Sequence, residues 1–416
     1  VVAVPAAVRA QSSENLLVTP VLPPGFASTD SQGVADRARP EWQALGVRLG
    51  AFTLRPQIGM AGGATSNAFQ LRNNETSSAI VTGTTQFDLL SGWSRHFLSL
   101  RGTAQVDKFV GNSRRDTTMW ALNAAGRYDI HSTLQVAASA DVARDNESRF
   151  SGEAVNANFV VSPFLREAAT IRTSYRPGRV GVQLSANYQH LHFMPVRFQD
   201  GSTGDQSIRD RTVTQVIVEG TYAKVPGVAF FAQGMASWTR FDVVDPLRVL
   251  GGDSDGVRVL GGVNLELAGF ATGTIGVGWS RRNYADPRLS TNSGLSVEGR
   301  VALLPEDRTT VTLGARRQLS DANPTSGPFW DTRLSVGVDR EVRRNIIVGL
   351  TGNYGRQRYL DVASAPTTNR SALLTGTYLI SRRLEVRSSL IYRVSRSRAT
   401  AGLDESRGSL GLTFKL

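Results

Sequence analysis

The 416-residue chain reads as an all-β protein. The expected architecture is a transmembrane, antiparallel, up-and-down β-barrel of about 18 strands, with short turns at one end and long loops at the other. Three observations carry that expectation. Apolar and polar residues alternate with period two in many separate segments. Short and long connectors take turns along the chain. The stretch Ser409–Leu416 alternates strictly, with Leu410, Leu412, Phe414 and Leu416 on one face and Gly411, Thr413 and Lys415 on the other.

Composition narrows the function classes. No apolar run reaches the length of about 18 residues that a membrane-spanning helix needs. A barrel strand needs only about 9–11 alternating residues, so the modest 40% hydrophobic content is compatible with a membrane. Gly is abundant (41) and Met rare (4), which suits strands. Cysteine is absent, which removes thiol catalysis, disulfides and Cys-ligated metals. The net charge of +12 points to an anionic partner. Because the arginines are spread along the chain rather than clustered, nucleic acid is not expected. Lipopolysaccharide, an acidic polymer or a merely solvated basic surface fit equally well.

Residues 1–47 differ from the rest. Val1–Val8 is apolar, and Val8-Arg9-Ala10 before Gln11 has the form of an A-x-A-like cleavage site, so a signal-peptide remnant is expected here. Pro20, Pro23 and Pro24, followed by Ser28, Thr29 and Asp30, read as a flexible lead-in. No fold is expected before about residue 48. The barrel is expected over residues 48–416.

From there hairpins repeat. Short connectors lie at Leu90-Ser91-Gly92, His131-Ser132, Pro177-Gly178, Val225-Pro226-Gly227, Pro305-Glu306-Asp307 and Ser381-Arg382. Longer polar connectors occupy 67–75, 110–115, 147–165, 194–208, 242–254, 285–290, 321–327, 359–367 and 399–404. Residues 147–165 have room for an additional hairpin. Short turns on the periplasmic side and long loops outside are the asymmetry of outer-membrane barrels. An even strand count places both termini on the periplasmic side.

Individual strands agree on their faces. Val182, Leu184, Ala186 and Tyr188 oppose Gln183, Ser185, Asn187 and Gln189. Leu384, Val386, Leu390, Tyr392 and Val394 oppose Glu385, Arg387 and Arg393. Trp120, Leu122, Ala124, Tyr128 and Ile130 oppose Asn123, Arg127 and Asp129, and Val257, Val259, Val263, Leu265 and Leu267 oppose Arg258, Asn264 and Glu266. Tyr128, Tyr175, Tyr222 and Tyr378 each lie near a short turn on the apolar face, as an inner aromatic girdle would. Trp120, Trp238 and Tyr392 sit toward the long loops, as an outer girdle would. Ordinary aromatic packing is the plainer alternative.

No catalytic motif is present: neither G-x-S-x-G, nor H-E-x-x-H, nor a P-loop. His190 and His192 share a strand face, but no third ligand accompanies them, and no metal or other cofactor is expected. A barrel hydrolase would need a nucleophile beside His190, and none is identifiable. Gly251-Gly252-Asp253-Ser254-Asp255-Gly256 looks like a calcium loop but lacks the distal acidic ligand, so a turn-rich loop explains it better.

The wet faces carry the expected function. Arg101, Arg127, Arg172, Arg258, Arg300, Arg316, Arg333, Arg387 and Arg393 point inward by parity, with Glu219, Glu266, Glu298, Asp339 and Glu385. They would line a charged aqueous lumen with a bias toward anions. The plainer alternative is a set of cross-strand ion pairs stiffening the wall. The two are compatible.

Two stretches resemble known families. The C-terminal strand resembles the assembly signal of bacterial outer-membrane barrels in Ser409, Gly411 and Phe414, with Leu416 in place of the usual final aromatic residue. Gly46-Val47-Arg48-Leu49-Gly50-Ala51-Phe52-Thr53-Leu54-Arg55-Pro56 is similar to the opening strand of the beta-barrel porin 2 type of outer-membrane porin, which begins Gly-apolar-Arg-apolar-Gly-x-Phe-x-apolar-x-Pro. Of the Tyr-Asp-Asn cluster that often follows in that family, only Asn67 remains, with Ala68-Phe69 behind it. The resemblance implies a non-enzymatic outer-membrane conduit associated with exopolysaccharide or capsule export. Its implied partners are outer-membrane lipid and lipopolysaccharide, the barrel-assembly machinery, a periplasmic polysaccharide export protein and a glycan. A diffusion porin, general or anion-preferring, and a non-conducting surface anchor or adhesin are the alternative expectations.

Overall fold

The structure, a computed structural model, describes residues 33–150, 159–198, 200–243, 252–267, 269–320, 328–360, 365–398 and 402–416. The expected signal-peptide remnant, the Pro-rich lead-in up to residue 32 and Gly251 lie outside the described residues.

β1 (Val47–Leu49) folds back on β2 (Phe52–Thr65). β3 (Ser78–Ser91), β4 (Phe97–Phe109), β5 (Thr117–His131) and β6 (Leu134–Asn146) follow. β7 (Phe159–Val161) is a short outlier between β6 and β8 (Pro163–Tyr175), and β9 (Val180–Phe193) resumes the series. Two more outliers are β10 (Val196–Phe198) and β11 (Thr203–Gly204). The second half comprises β12 (Arg211–Val225), β13 (Val228–Phe241), β14 (Ser254–Leu267), β15 (Ala271–Tyr284), β16 (Asn292–Glu306) and β17 (Thr309–Ser320). It continues through β18 (Phe329–Arg343), β19 (Ile346–Tyr359), β20 (Thr367–Leu379), β21 (Leu384–Ser397) and β22 (Leu403–Lys415).

Apart from β1, β7, β10 and β11, each strand pairs antiparallel with the next, and β22 pairs with β2 from Gln57↔Lys415 to Thr65↔Arg407. The sheet is thus closed with eighteen strands. Closure matters physically because a spanning strand has no water to satisfy its backbone groups. A circular cross-section of this strand number is about 35 Å across at the backbone, wide enough for an aqueous channel.

Cross-strand partners share a face, so the register orients the whole wall. Leu379, Glu385, Thr413, Gly59 and Thr84 form one such row. That row is concave. Arg407 of β22 reaches Asp107 of β4 at 3.2 Å, three strand spacings away, which is possible only across the inside. The opposite face carries exposed Ile58, Met60, Leu410, Leu412, Val257, Val259 and Trp279. The faces assigned from alternation in β5, β9, β14 and β21 agree with this register.

Three features differ from the expectation. The inside is not uniformly polar, since Val213, Ile217, Phe231 and Leu260 point inward from β12–β14 and are buried. The 147–165 connector adds no hairpin to the wall. Its β7 pairs instead with β10, and β10 with β11, forming a separate three-stranded sheet between two long loops. The family-like opening Gly46–Pro56 is not one straight strand. Gly46 and Gly50 have φ of +76° and +62°, and the backbone reverses so that Val47 faces Leu54.

Short turns all fall at one end. Besides the expected ones, they join β14 to β15 and β18 to β19. In the Val225-Pro226-Gly227 turn, Gly227 has φ +78°, and a Cβ there would stand 2.4 Å from the Glu266 carbonyl oxygen. Only glycine fits.

Residues 33–46 form a strap along the short-turn rim rather than a free lead-in. The Val34 amide donates to Thr310 Oγ1 (2.8 Å), and Val34 is fully buried. Arg39 donates to Glu341 Oε2 (2.6 Å) and to the carbonyls of Val34 and Arg344. Glu41 meets Arg344 at 3.5 Å, and its carbonyl accepts from Arg382. The strap holds because it satisfies inward polar groups of β17 and β18 that the turns leave unpaired.

Candidate functional site: a charged lumen entered past arginine-bearing loops

All fourteen expected lumen residues lie on the concave face. The charges are largely paired. Arg258 donates to Glu298 (3.0 Å), Arg333 and Arg316 share Asp331 (2.7 and 3.5 Å), and Arg393 meets Glu405 (3.2 Å). Arg101 pairs with Asp88, Arg127 with Asp129, and both Arg387 and Lys415 with Glu385. Glu219 accepts from Gln233 Nε2 at 2.8 Å. Glu266 and Asp339 face inward on β14 and β18. Among the described residues, Arg172 and Arg300 have no carboxylate within 4.0 Å. Wall stiffening and a charged lining are therefore carried by the same side chains.

The concave face also holds Arg166, Arg211, Arg282 and Arg407, which the alternation argument passed over. Carrying the terminal alternation back past Ser409 would have placed Arg407 and Glu405 inside. Arg166, just past the 147–165 connector, pairs with Asp141 at 2.7 Å within the wall.

The feature that parity cannot reveal is at the long-loop end. There the loop between β2 and β3 turns toward the inside. Asn67 fixes it: its Nδ2 donates to the carbonyls of Leu71 (2.7 Å) and Asp404 (3.0 Å), and its Oδ1 accepts from the Leu71 amide (2.9 Å). The side chain is fully buried. Gln70, with φ +52°, is brought over the lumenal Glu405 and donates to it at 3.1 Å. Two further loops then meet this one. Arg115, on the single helical turn Ser113–Arg115 between β4 and β5, donates to the Ala68 carbonyl at 2.8 Å. Arg149, after β6, donates to the Gln70 carbonyl at 2.9 Å. The neighbouring Phe150 ring lies 5.1 Å under the Arg393 guanidinium.

Arg72, Arg115, Arg149, Arg393 and Arg407 thus gather around Glu405 and Asp107. Among the described residues of this group, guanidiniums outnumber carboxylates. Burial, with Arg407 and Arg393 nearby and only partly offset by Glu405 and Asp107, lowers Arg115 to about 10. Burial, then Arg115 and Arg72, lowers Arg149 to about 10. Both stay charged at neutral pH. They bring two guanidiniums to the long-loop mouth beside Arg393 and Arg407.

The other expected sites fall as follows. Tyr128, Tyr175, Tyr222 and Tyr378 are outward and exposed close to the short turns, and Trp120 and Trp238 are outward near the long loops. Phe414 and Leu416 are outward and exposed, while Gly411 lets β22 approach β2, since a Cβ there would be 2.7 Å from that of Ala61. His190 and His192 point outward and serve separate carboxylates, Asp242 (2.9 Å) and Asp210 (2.6 Å). Among the described residues no three metal-ligating side chains converge. Asp253 accepts from the Phe241 amide and Asp255 pairs with Arg240, so these carboxylates shape a turn.

Comparison with curated proteins finds no match. Among solved structures, OpdL of Pseudomonas aeruginosa is 11% identical over 88% of this chain and 99% of its own, with a TM-score of 0.46. OccAB3 of Acinetobacter baumannii is 11% identical over 87% and 99%, with a TM-score of 0.46. The siderophore receptor PirA of P. aeruginosa is 12% identical over 87% and 80%, with a TM-score of 0.41. The family described as "Putative beta-barrel porin 2" matches residues 39–416, the whole barrel and the strap from Arg39 onward, and the chain belongs to that family of outer-membrane porins.

Proposed function

We propose that the barrel is a passive channel for small polar solutes, with a preference for anions set at the long-loop mouth. The observation that carries this is the convergence of Arg72, Arg115 and Arg149, from three loops, on the lumenal Arg393 and Arg407. Any solute using this side of the lumen passes a locally cationic station, and a fixed charge excess in a narrow aqueous path selects the opposite sign. The short-turn mouth, with the strap, is assigned to the periplasm and the long loops to the outside, which follows the asymmetry of such barrels.

The narrower expectation of polysaccharide export rests on the family resemblance alone. Loops that turn inward favour small solutes over a glycan strand. The purified barrel in a planar bilayer under a salt gradient distinguishes the readings. A reversal potential of anion-selective sign is expected, and a cation-selective sign overturns the proposal. Block by long glycans supports the conduit, whereas a silent barrel supports an anchor.

A further inference from the structure

The outward face of β19–β21 changes character toward the long loops. Leu350, Leu374 and Leu390 form one exposed apolar row across the three strands, and exposed Tyr392 follows them. Beyond these the same face turns basic. Arg370 stands opposite Tyr354 and Val394. Two residues further out, Arg356 and Arg396 both stand opposite Thr368. Arg358 continues the column on β19. All four arginines are exposed. Arg356 and Arg396 are two strand spacings apart, about 10 Å. Arg370 lies on the strand between them, its guanidinium 5.9 Å from the Tyr354 ring centroid. Arg396 meets Asp404 at 3.4 Å. Among the described residues, Arg356, Arg358 and Arg370 have no carboxylate within 4.0 Å. The far side of this rim is different. There His190 meets Glu167 and Asp242, and Arg240 meets Asp255, so outward cations come with outward carboxylates.

A cation on the lipid-facing side of a barrel is unfavourable within the hydrocarbon and tolerated at the headgroup level. These arginines stand where the apolar row has given way to tyrosine, as groups at that level do. A guanidinium offers phosphate two parallel N–H donors, and a cluster of basic side chains at a membrane surface attracts anionic headgroups. Guanidiniums spread over about 10 Å match a headgroup with more than one phosphate better than a headgroup with one. We propose that the outward face of β19–β21 binds the phosphates of a bisphosphorylated glycolipid, the lipid A portion of lipopolysaccharide. Arg356, Arg370 and Arg396 are the gripping side chains, and Leu374 and Leu390 lie beneath, at the level of the acyl chains. The site is on the opposite side of the wall from the lumen. From the channel reading it takes only the placement of the long loops outside.

Titration of the purified, detergent-solubilised barrel with bisphosphorylated lipid A, followed by native mass spectrometry, tests it. Retained lipid A is expected on the wild-type barrel, with dephosphorylated lipid A held about tenfold less tightly. Arg356→Gln with Arg370→Gln is expected to weaken lipid A binding about tenfold or more. Arg370→Gln with Arg396→Gln is expected to do the same, and carries the test should the first pair fail to assemble. Arg240→Gln, on the balanced side of the rim, is expected to leave binding unchanged. Heat-modifiable migration on gels establishes that each variant is folded. Equal retention of the phosphorylated and dephosphorylated lipids overturns the proposal, as does wild-type retention in the paired variants. Phosphatidylglycerol held as tightly as lipid A assigns the face to a lipid with one phosphate and overturns the glycolipid. The titration is blind to conduction. Intact anion selectivity without lipid A binding therefore overturns this site alone, and the reverse result overturns the channel reading alone.

Discussion

Asn67 shows how one side chain determines what a long loop does. Its amide closes a four-residue turn through Leu71 and ties that turn to Asp404 on the neighbouring strand. Asn67→Ala leaves the Leu71 and Asp404 carbonyls and the Leu71 amide without these partners, at a cost of about 2–3 kcal/mol. Urea unfolding should register that loss, and limited proteolysis should cut earlier within 66–77. Gln70 would also leave Glu405, so anion selectivity should fall with loop order. Alternation puts Arg393 and Arg101 on the face that the register makes concave, because period two is a local property of the strand. It was silent on Arg115 and Arg149, because no local rule says that a loop turns inward. In the sequence Asn67 stands only as what remains of a family motif, and its structural work depends on a residue more than 300 positions away.

Among elements, strands were legible and connections were not. Each strand declares its own faces, whereas the strap over 33–46 becomes visible only when β17 and β18 are in place. Arg39 and Glu341 form a pair that is 9% exposed on both sides. Breaking such a pair strands a buried charge and costs about 3–5 kcal/mol. Arg39→Ala should therefore release the strap while the wall remains. Protease cleavage ahead of residue 47, with an unchanged heat-modifiable barrel, is the expected result, together with higher single-channel conductance. β22 is the opposite case. Its outward Phe414 and Leu416 face the apolar surroundings, and its backbone closes the sheet onto β2. Phe414→Asp with Leu416→Asp should abolish assembly while synthesis continues, since acidic groups on the lipid face are unfavourable and the seam is lost. Membrane fractionation and gel migration read the outcome.

At the scale of the whole molecule, the proposed selectivity station has a titration signature. Arg115 and Arg149 lose their protons near pH 10 rather than at the usual arginine value. Anion preference should therefore hold through neutral pH and weaken as pH rises through about 10, because deprotonation removes positive charge from the mouth. Reversal potentials measured across that range check the sign. A rise in anion preference on alkalinisation would count against the loops as its source. The ring of eighteen strands has one more consequence. In an open sheet, an edge strand can slide by one residue and leave its neighbours undisturbed. Here β2 is gripped on both sides, by β3 and by β22. A slide would have to travel around the full circle and return to its starting point, exchanging lipid-facing and lumen-facing side chains on the way. The stagger of the ring behaves as a conserved integer, changed only by tearing the seam.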